Sequence, residues 1–315
     1  MTQRNDQGKG DQSLYSSDWV KSAWGDADTR ALLEGRPIIP RPRVQRALEI
    51  SNLKPGLRLL DIACGRGEIV ALASEQGLDA IGMDYAAEPM RIASLMAEQR
   101  SGASGVIRLL RGDATALPFK EGSFDRITML DIVEHLHPAE LSSMFREVRR
   151  VLKPDGFATV HTLPNRWQYE IAYPTARFFM PHLPANPRNA YEKLIHVNEQ
   201  DIVGLSSTLS EAGFSSRIWL EQQLVAQARW NHGNTTFGDH RDPLYAMLSG
   251  PLGKVVEILS RSPLKLLLCN DIYALLWHAS GSRPGSLPEM PCAPMERMAI
   301  RLGRLLLRWK SPPTT

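Results

Sequence analysis

Three aspartates and three histidines carry the chemistry this sequence can do. Asp61 ends an apolar run over 57–60 and opens the stretch Asp61-Ile62-Ala63-Cys64-Gly65-Arg66-Gly67, after which 68–75 reads as a helix. A buried strand that breaks into a glycine turn and then a helix suits a nucleotide-like ligand. The glycines let the ligand approach the backbone, and the helix N-terminus offers free N–H groups. Asp84 ends a second apolar strand over 79–84, and Asp113 comes after a third over 106–110. A carboxylate at the tip of the second strand can accept from both hydroxyls of a ribose. Each acid also has a plainer reading, Asp61 as a helix cap and Asp84 and Asp113 as turn formers. Their recurrence at three successive strand ends favours a ligand, because ligands of such sheets sit outside the carboxyl ends of the strands. A dinucleotide is excluded: the third glycine of G-x-G-x-x-G would fall on Val70.

The turn and the strand ends after it resemble the class I S-adenosylmethionine (SAM) methyltransferases. The resemblance rests on Asp61 to Gly67, Asp84, Gly112-Asp113-Ala114, Leu117-Pro118-Phe119 and Gly122-Ser123-Phe124-Asp125, and it covers about residues 50 to 220. Ala63 stands where that family usually has glycine. The "LPF…SFD" pair is similar to the small-molecule branch around the ubiquinone and menaquinone enzymes. The resemblance implies SAM as cofactor, its amino-acid end wrapped by Asp61, Ala63, Gly65 and Gly67, its ribose gripped at Asp84 and Tyr85, and its adenine read at Asp113 and Ala114, with Leu130 completing the pocket. It also implies an α/β fold, a doubly wound seven-stranded sheet whose last strand runs antiparallel.

If the methyl acceptor is a hydroxyl, a general base helps remove its proton, and histidine suits neutral pH. His135 comes after the fourth strand in Asp131-Ile132-Val133-Glu134-His135, His161 lies near the end of the fifth, and His196 closes an aromatic insert. His135 also reads as a turn residue, and His161 as a core residue. Asp131 and Glu134 have the spacing of a capping box, so no metal is expected from Asp131, Glu134 and His135. The acceptor reads as a small or lipid-linked molecule methylated at oxygen, in the manner of bacterial glycan and secondary-metabolite enzymes. The alternatives are carbon methylation of a quinone-like or polyketide-like ring, and a SAM-fold scaffold or regulator without turnover. Nucleic acid is not expected as substrate: an "NPPY"-type motif is absent after the fourth strand, and the formal charge is only +3.

The elements that hold these residues are set by the pattern. Residues 1–42 read as a polar tail and helical lead-in, with Trp19 and Trp24 available for packing, and 43–279 as the SAM-binding domain with inserts at 164–197 and 222–270. Then come a Gly/Pro/Ser linker over 280–294 and a basic amphipathic tail over 295–315. In that tail Met298, Leu302, Leu305 and Trp309 share one helical face, and Arg297, Arg301, Arg304 and Arg308 another. Such a helix can lie on an anionic membrane or pack on the enzyme or a partner subunit. Hydrophobic content of 43% suits a globular core, and the polar start is no signal peptide. Three scattered cysteines fit a reducing cytoplasm rather than disulfides or zinc.

Overall fold

The computed structural model describes residues 14–310, apart from Gly25, Ser101, Ala103, six positions within 182–191, and 234–247; it also leaves out the side chains of 21–28, 230–233 and 307–310. The expected packing of Trp24 and the placing of Arg308 and Trp309 therefore lie outside the described residues, as does the polar start. The lead-in is two helices, α1 (Ser17–Trp24) and α2 (Asp26–Leu33), and α3 (Pro42–Ser51) begins on Pro42. Strands and helices then follow one another, save that β3 passes to β4 through a loop: β1 (Arg58–Ile62), α4 (Glu68–Glu75), β2 (Asp79–Asp84), α5 (Ala87–Glu98), β3 (Val106–Arg111), β4 (Phe124–Leu130), α6 (Pro138–Val151) and β5 (Leu152–Thr162). Alternation of this kind gives parallel pairing, because each helix returns the chain to the same edge. The order β3-β2-β1-β4-β5 is parallel throughout.

The insert over 164–197 holds a π-helical turn (Gln168–Ala172), α7 (Tyr173–Phe179) and α8 (Glu192–Ile195). Asp201 caps α9 (Ile202–Glu211) by accepting from the N–H groups of Val203 and Gly204. Then come β6 (Phe214–Glu221), α10 (Gln223–Gly233), α11 (Pro251–Leu259), α12 (Lys265–Leu268), β7 (Asp271–His278) and α13 (Pro294–Lys310). Strand β7 inserts between β5 and β6 and runs antiparallel to both, which completes the expected seven-stranded sheet. Lys153-Pro154-Asp155-Gly156 has the composition of a turn, yet it is not one. It is an irregular stretch inside β5, with a register shift against β4, rather than a turn before the strand.

The inner parallel strands are buried on both faces and so read as apolar runs, whereas the edge strand β3 is exposed or half-buried along its length. Leu59, Leu60 and Ile62 are fully buried, each worth roughly 1.5–3 kcal/mol. One face packs on α6 and α9 through Phe145, Val148, Leu205 and Leu209. The other packs on α4 and α5 through Ile69, Val70, Ile92 and Met96, and Trp19 and Val20 of α1 close its edge.

Candidate active site

The strand order reverses between β1 and β4, and the crevice at such a point is where doubly wound sheets bind ligands. The turn after β1 is forced into left-handed backbone at Ala63 (φ 58°), Gly65 (φ 55°) and Gly67 (φ 82°). At Gly67 a Cβ would also lie 2.5 Å from Met96 Cε of α5, so only glycine fits. Asp84, the last residue of β2, stitches this turn down. Its carboxylate accepts from the Gly65 N–H at 3.0 Å and from the Ala86 N–H at 2.9 Å. Burial nevertheless holds Asp84 above the usual carboxylate range, against those backbone donors. Asp61 accepts from the Thr128 hydroxyl at 2.6 Å. Burial pushes Asp61 up to about 7, with Asp84 and Glu68 adding to the rise against that hydroxyl.

Two buried acids beside a left-handed turn suit a ligand that brings hydrogen-bond donors, and SAM carries an ammonium and a ribose diol. The left-handed turn and these two acids therefore fit that cofactor. Asp113 differs from its neighbours. Its Oδ1 accepts from the Thr115 N–H (2.8 Å) and hydroxyl (2.7 Å), which is the turn-former geometry. Ala114 packs against the core beside it, and Leu130, at the end of β4, packs toward the Leu59 side of the sheet.

The three histidines part company. His161 is fully buried, with Nδ1 2.5 Å from Asp131 and Nε2 2.9 Å from Asp271. Burial opposes its charge, but the two carboxylates push it up to about 9. An imidazolium with both N–H groups engaged has no lone pair to offer, so the structure places His161 as a core cation, not as a base. Asp131 does not cap a helix either. It sits at φ 55° and pairs with Arg43 at 3.2 Å. The helix after it is capped by His137, whose capping box with Glu140 opens α6.

His135 and His196 do come together, their rings 5.1 Å apart and nearly perpendicular. Glu134 completes the group, with Oε1 3.8 Å from His135 Nε2 and Oε2 accepting from Thr162 at 2.6 Å. One donor atom from each of the three lies within 4.8 Å of the others, close enough to share a proton or a divalent ion. Burial, with help from Asp131, lifts Glu134 to about 7, and burial together with His196 lowers His135 to about 3. His196 is held above its ordinary range: burial opposes the rise, but Glu199 and Glu134 outweigh it. A cavity of about 410 Å³ opens beside His196, lined also by Arg166, Glu170, Arg188, Lys193 and Glu199.

Tyr15 is the residue that sequence reasoning missed. Its ring meets Tyr85 at 5.6 Å and Trp19 at 4.9 Å, and its hydroxyl lies 3.3 Å from His135 Nδ1. It thus bridges the Asp84–Tyr85 end of the crevice and the Glu134–His135 end. Burial, then Tyr85, Asp84 and Glu134, hold its phenol above the usual range, so it stays a donor. The lead-in is latched to the turn a second time, where Arg66 donates to Thr29 at 3.1 Å and to Glu68 at 2.9 Å.

Known proteins match the stretch of chain that carries the glycine turn. Residues 60–160 match the family model described as a methyltransferase domain. An uncharacterized methyltransferase of Synechocystis is 30% identical over 138 residues, covering 43% of this chain and 60% of that protein. A ubiquinone biosynthesis O-methyltransferase of Pseudomonas fluorescens is 28% identical over 166 residues, covering 48% of this chain and 68% of that protein. The matches span 60%, 34% and 38% of the lengths of three of the first curated relatives. Among solved structures, a phosphoethanolamine N-methyltransferase of Haemonchus contortus with bound SAM superposes with a TM-score of 0.54 at 16% identity, over 82% of this chain and 58% of that one. That likeness speaks for the fold alone. Residues 60–160 of this chain, which carry the glycine turn and the acids at the strand ends, match a methyltransferase domain, on a fold shared with a SAM-binding methyltransferase.

Proposed function

We propose that this protein transfers a methyl group from SAM to an oxygen of a small or lipid-linked acceptor. The observation that carries the reading is the Glu134–His135–His196 group, joined through Tyr15 to the Asp84–Tyr85 end of the same crevice. SAM supplies a methyl already activated by a cationic sulfur. What remains for the chain is to hold donor and acceptor in line and to take the proton a hydroxyl must lose. Glu134, oriented by Thr162, is the group we assign to that proton, with His135 and His196 beside it. In this reading Asp61, Ala63, Gly65, Gly67, Asp84, Tyr85, Asp113, Ala114 and Leu130 hold the cofactor, within a unit spanning 43–279 with its inserts at 164–197 and 222–270.

The carbon-methylation alternative leans on Leu117-Pro118-Phe119 and Ser123-Phe124-Asp125. These residues are spent on packing at the opposite end of β4. Phe119 meets Phe124 edge-on at 4.9 Å, and Asp125 accepts from the Arg58 N–H at 2.9 Å and from Lys153 at 2.7 Å. They say little about the acceptor. Support for oxygen comes from the proton-accepting group and from the Pseudomonas relative's printed activity.

The test is methyl transfer from labelled SAM to a panel of hydroxylated and carbon-nucleophile acceptors. We expect the label on oxygen, and a Glu134→Gln variant slowed ~10²–10⁴-fold with its affinity for the product S-adenosylhomocysteine (SAH) unchanged. Label on carbon, or full turnover by Glu134→Gln, would overturn the assignment.

We extend the reading to a peripheral contact between the last helix and a membrane, where a lipid-linked acceptor would be met. No helix among the described residues is long and apolar enough to cross one.

A further inference from the structure

Helix α13 docks on the protein with the wrong face for a buried amphipathic helix. Glu296, fully buried, pairs with Lys265 at 2.5 Å and accepts from the Leu220 N–H at 3.2 Å. Ala299 and Ile300 pack against the core, and Arg304 donates to Ser206 Oγ at 2.7 Å. A Cβ on Gly303 would come within 2.7 Å of Val203, so the glycine sets the close approach to α9. At 100° per residue this docked stripe lies on the far side of the helix from Met298, Leu302 and Leu305, and Leu306 lies at its edge beside Ala299. Those four are 49%, 53%, 62% and 59% exposed. The helix is therefore packed on the enzyme through one stripe while its apolar stripe faces solvent.

Neighbouring elements also show exposed apolar positions. Ile39, Leu95 and Val106 apart, the exposed large apolar side chains among the described residues all lie between Ile171 and Leu306. Phe178 and Phe179 of α7 are 82% and 76% exposed, and Val255 and Ile258 of α11 are 50% and 65% exposed. The elements form a connected chain. The π-helical turn adjoining α7 packs on α12, α12 packs on α11, and Lys265 of α12 ties into the head of α13. Exposed apolar side chains gathered on elements packed against one another point to an interaction surface.

The charge around the stripe says what it meets. Glu296 is the only acid of α13 and is buried, so the charges that helix shows to solvent, Arg297 and Arg301 among them, are all positive. On α11 and just after it the exposed charges are Lys254 and Arg261, while Glu257 is paired with Arg229 at 2.6 Å. Apolar side chains flanked by cations match the acyl boundary and headgroups of an anionic bilayer.

We propose that α13, α11 and α7 form a docking face for an anionic lipid bilayer, and that the acceptor is an amphiphile drawn from it. The docking half stands on the surface alone; the acceptor half rests on the methyl-transfer reading. The cavity beside His196 fits such an acceptor. Lys193 and the half-exposed Val197 line it together with Arg166 and Arg188, whose charges are shared with Asp201 and Glu199, so a zwitterionic or polar head beside an apolar tail suits it.

Vesicle flotation of the whole chain tests this, using phosphatidylcholine vesicles with and without phosphatidylglycerol. Two double variants, Leu302→Glu with Leu305→Glu and Phe178→Ser with Phe179→Ser, change only exposed side chains. We expect the wild type to float with the anionic vesicles alone. Each double variant should bind at least ~10-fold more weakly, with roughly fivefold lost for each arginine replaced by glutamine on α13. SAH titration of the same samples reports the cofactor pocket independently. A wild type that binds SAH yet stays unfloated at low salt overturns the docking face and leaves the methyltransferase reading intact. Equal flotation of wild type and variants overturns it too, and so does a concentration-dependent dimer that the variants abolish, which would give the face to a second copy.

Discussion

At the residue scale, the crevice is built from groups whose protonation is set by burial and by specific partners. Asp84 holds two backbone N–H groups, so Asp84→Ala should destabilise the fold by about 1–3 kcal/mol by orphaning them, beyond any loss of ligand. His161 gives a pH signature. Its folded pKa of about 9 exceeds the ordinary 6.5. The stabilisation it brings is therefore complete below about pH 6.5 and is lost as pH rises through about 9. The amount is on the order of 3 kcal/mol. Urea midpoints for wild type and His161→Gln should lie far apart at pH 6 and converge by pH 10; a gap that stays constant would contradict the Asp131–His161–Asp271 pairing. Local spacing made Asp61, Asp84, Gly65 and Gly67 legible in the sequence, because a strand end and a turn are short-range features. The role of His161 was not legible, since it depends on Asp271 across 110 positions and on a strand inserted between β5 and β6.

At the scale of elements, the turn and the helix behind it are one packing unit. Gly67→Ala meets two costs at once, a left-handed backbone and Met96 Cε, and should cost about 1–3 kcal/mol. Trimming Met96 to alanine alongside it relieves the contact but not the backbone, so the double variant should recover part of the SAH affinity and no more. Full recovery in thermal unfolding and SAH binding would show that φ plays no part. The lead-in α1–α2 was legible as helical from its pattern, but its function was not. Nothing in the local sequence around Tyr15 signals that its hydroxyl reaches His135, 120 positions away. If Tyr15 closes the crevice, Tyr15→Ala should weaken SAH binding roughly 10-fold while Tyr15→Phe, which keeps the ring, loses less than threefold; these are order-of-magnitude expectations for one hydrogen bond against one ring. Equal losses in the two would mean that only the hydroxyl matters.

At the scale of the molecule, a parallel sheet was legible from the strand and helix patterns up to β5, and the antiparallel last strand from the family resemblance; the place of β7 between β5 and β6 rests on long-range pairing that no local pattern carries. The inserts were legible only as irregular, aromatic or helical stretches. Their π-helical turn and their packing on α12 and α13 depend on contacts about a hundred residues apart, such as Gln168 donating to the Leu268 carbonyl at 3.4 Å. The amphipathic pattern of α13 was plain, yet sequence could not say which stripe docks. Gly303 against Val203 decides that. The result is a fold whose glycine turn is stitched down by Asp84 and whose helices α7, α11 and α13 show apolar side chains to solvent.

The most direct measurement is isothermal titration of SAM and SAH into wild type and Asp84→Ala, each checked for folding by circular dichroism. The account predicts binding of both ligands to wild type and a loss of ~100-fold or more in the variant, as expected when a carboxylate accepting from a ribose diol is removed. Folded wild-type protein that binds neither ligand, or an Asp84→Ala variant that binds SAH as tightly as wild type, would contradict the assignment of this crevice to SAM.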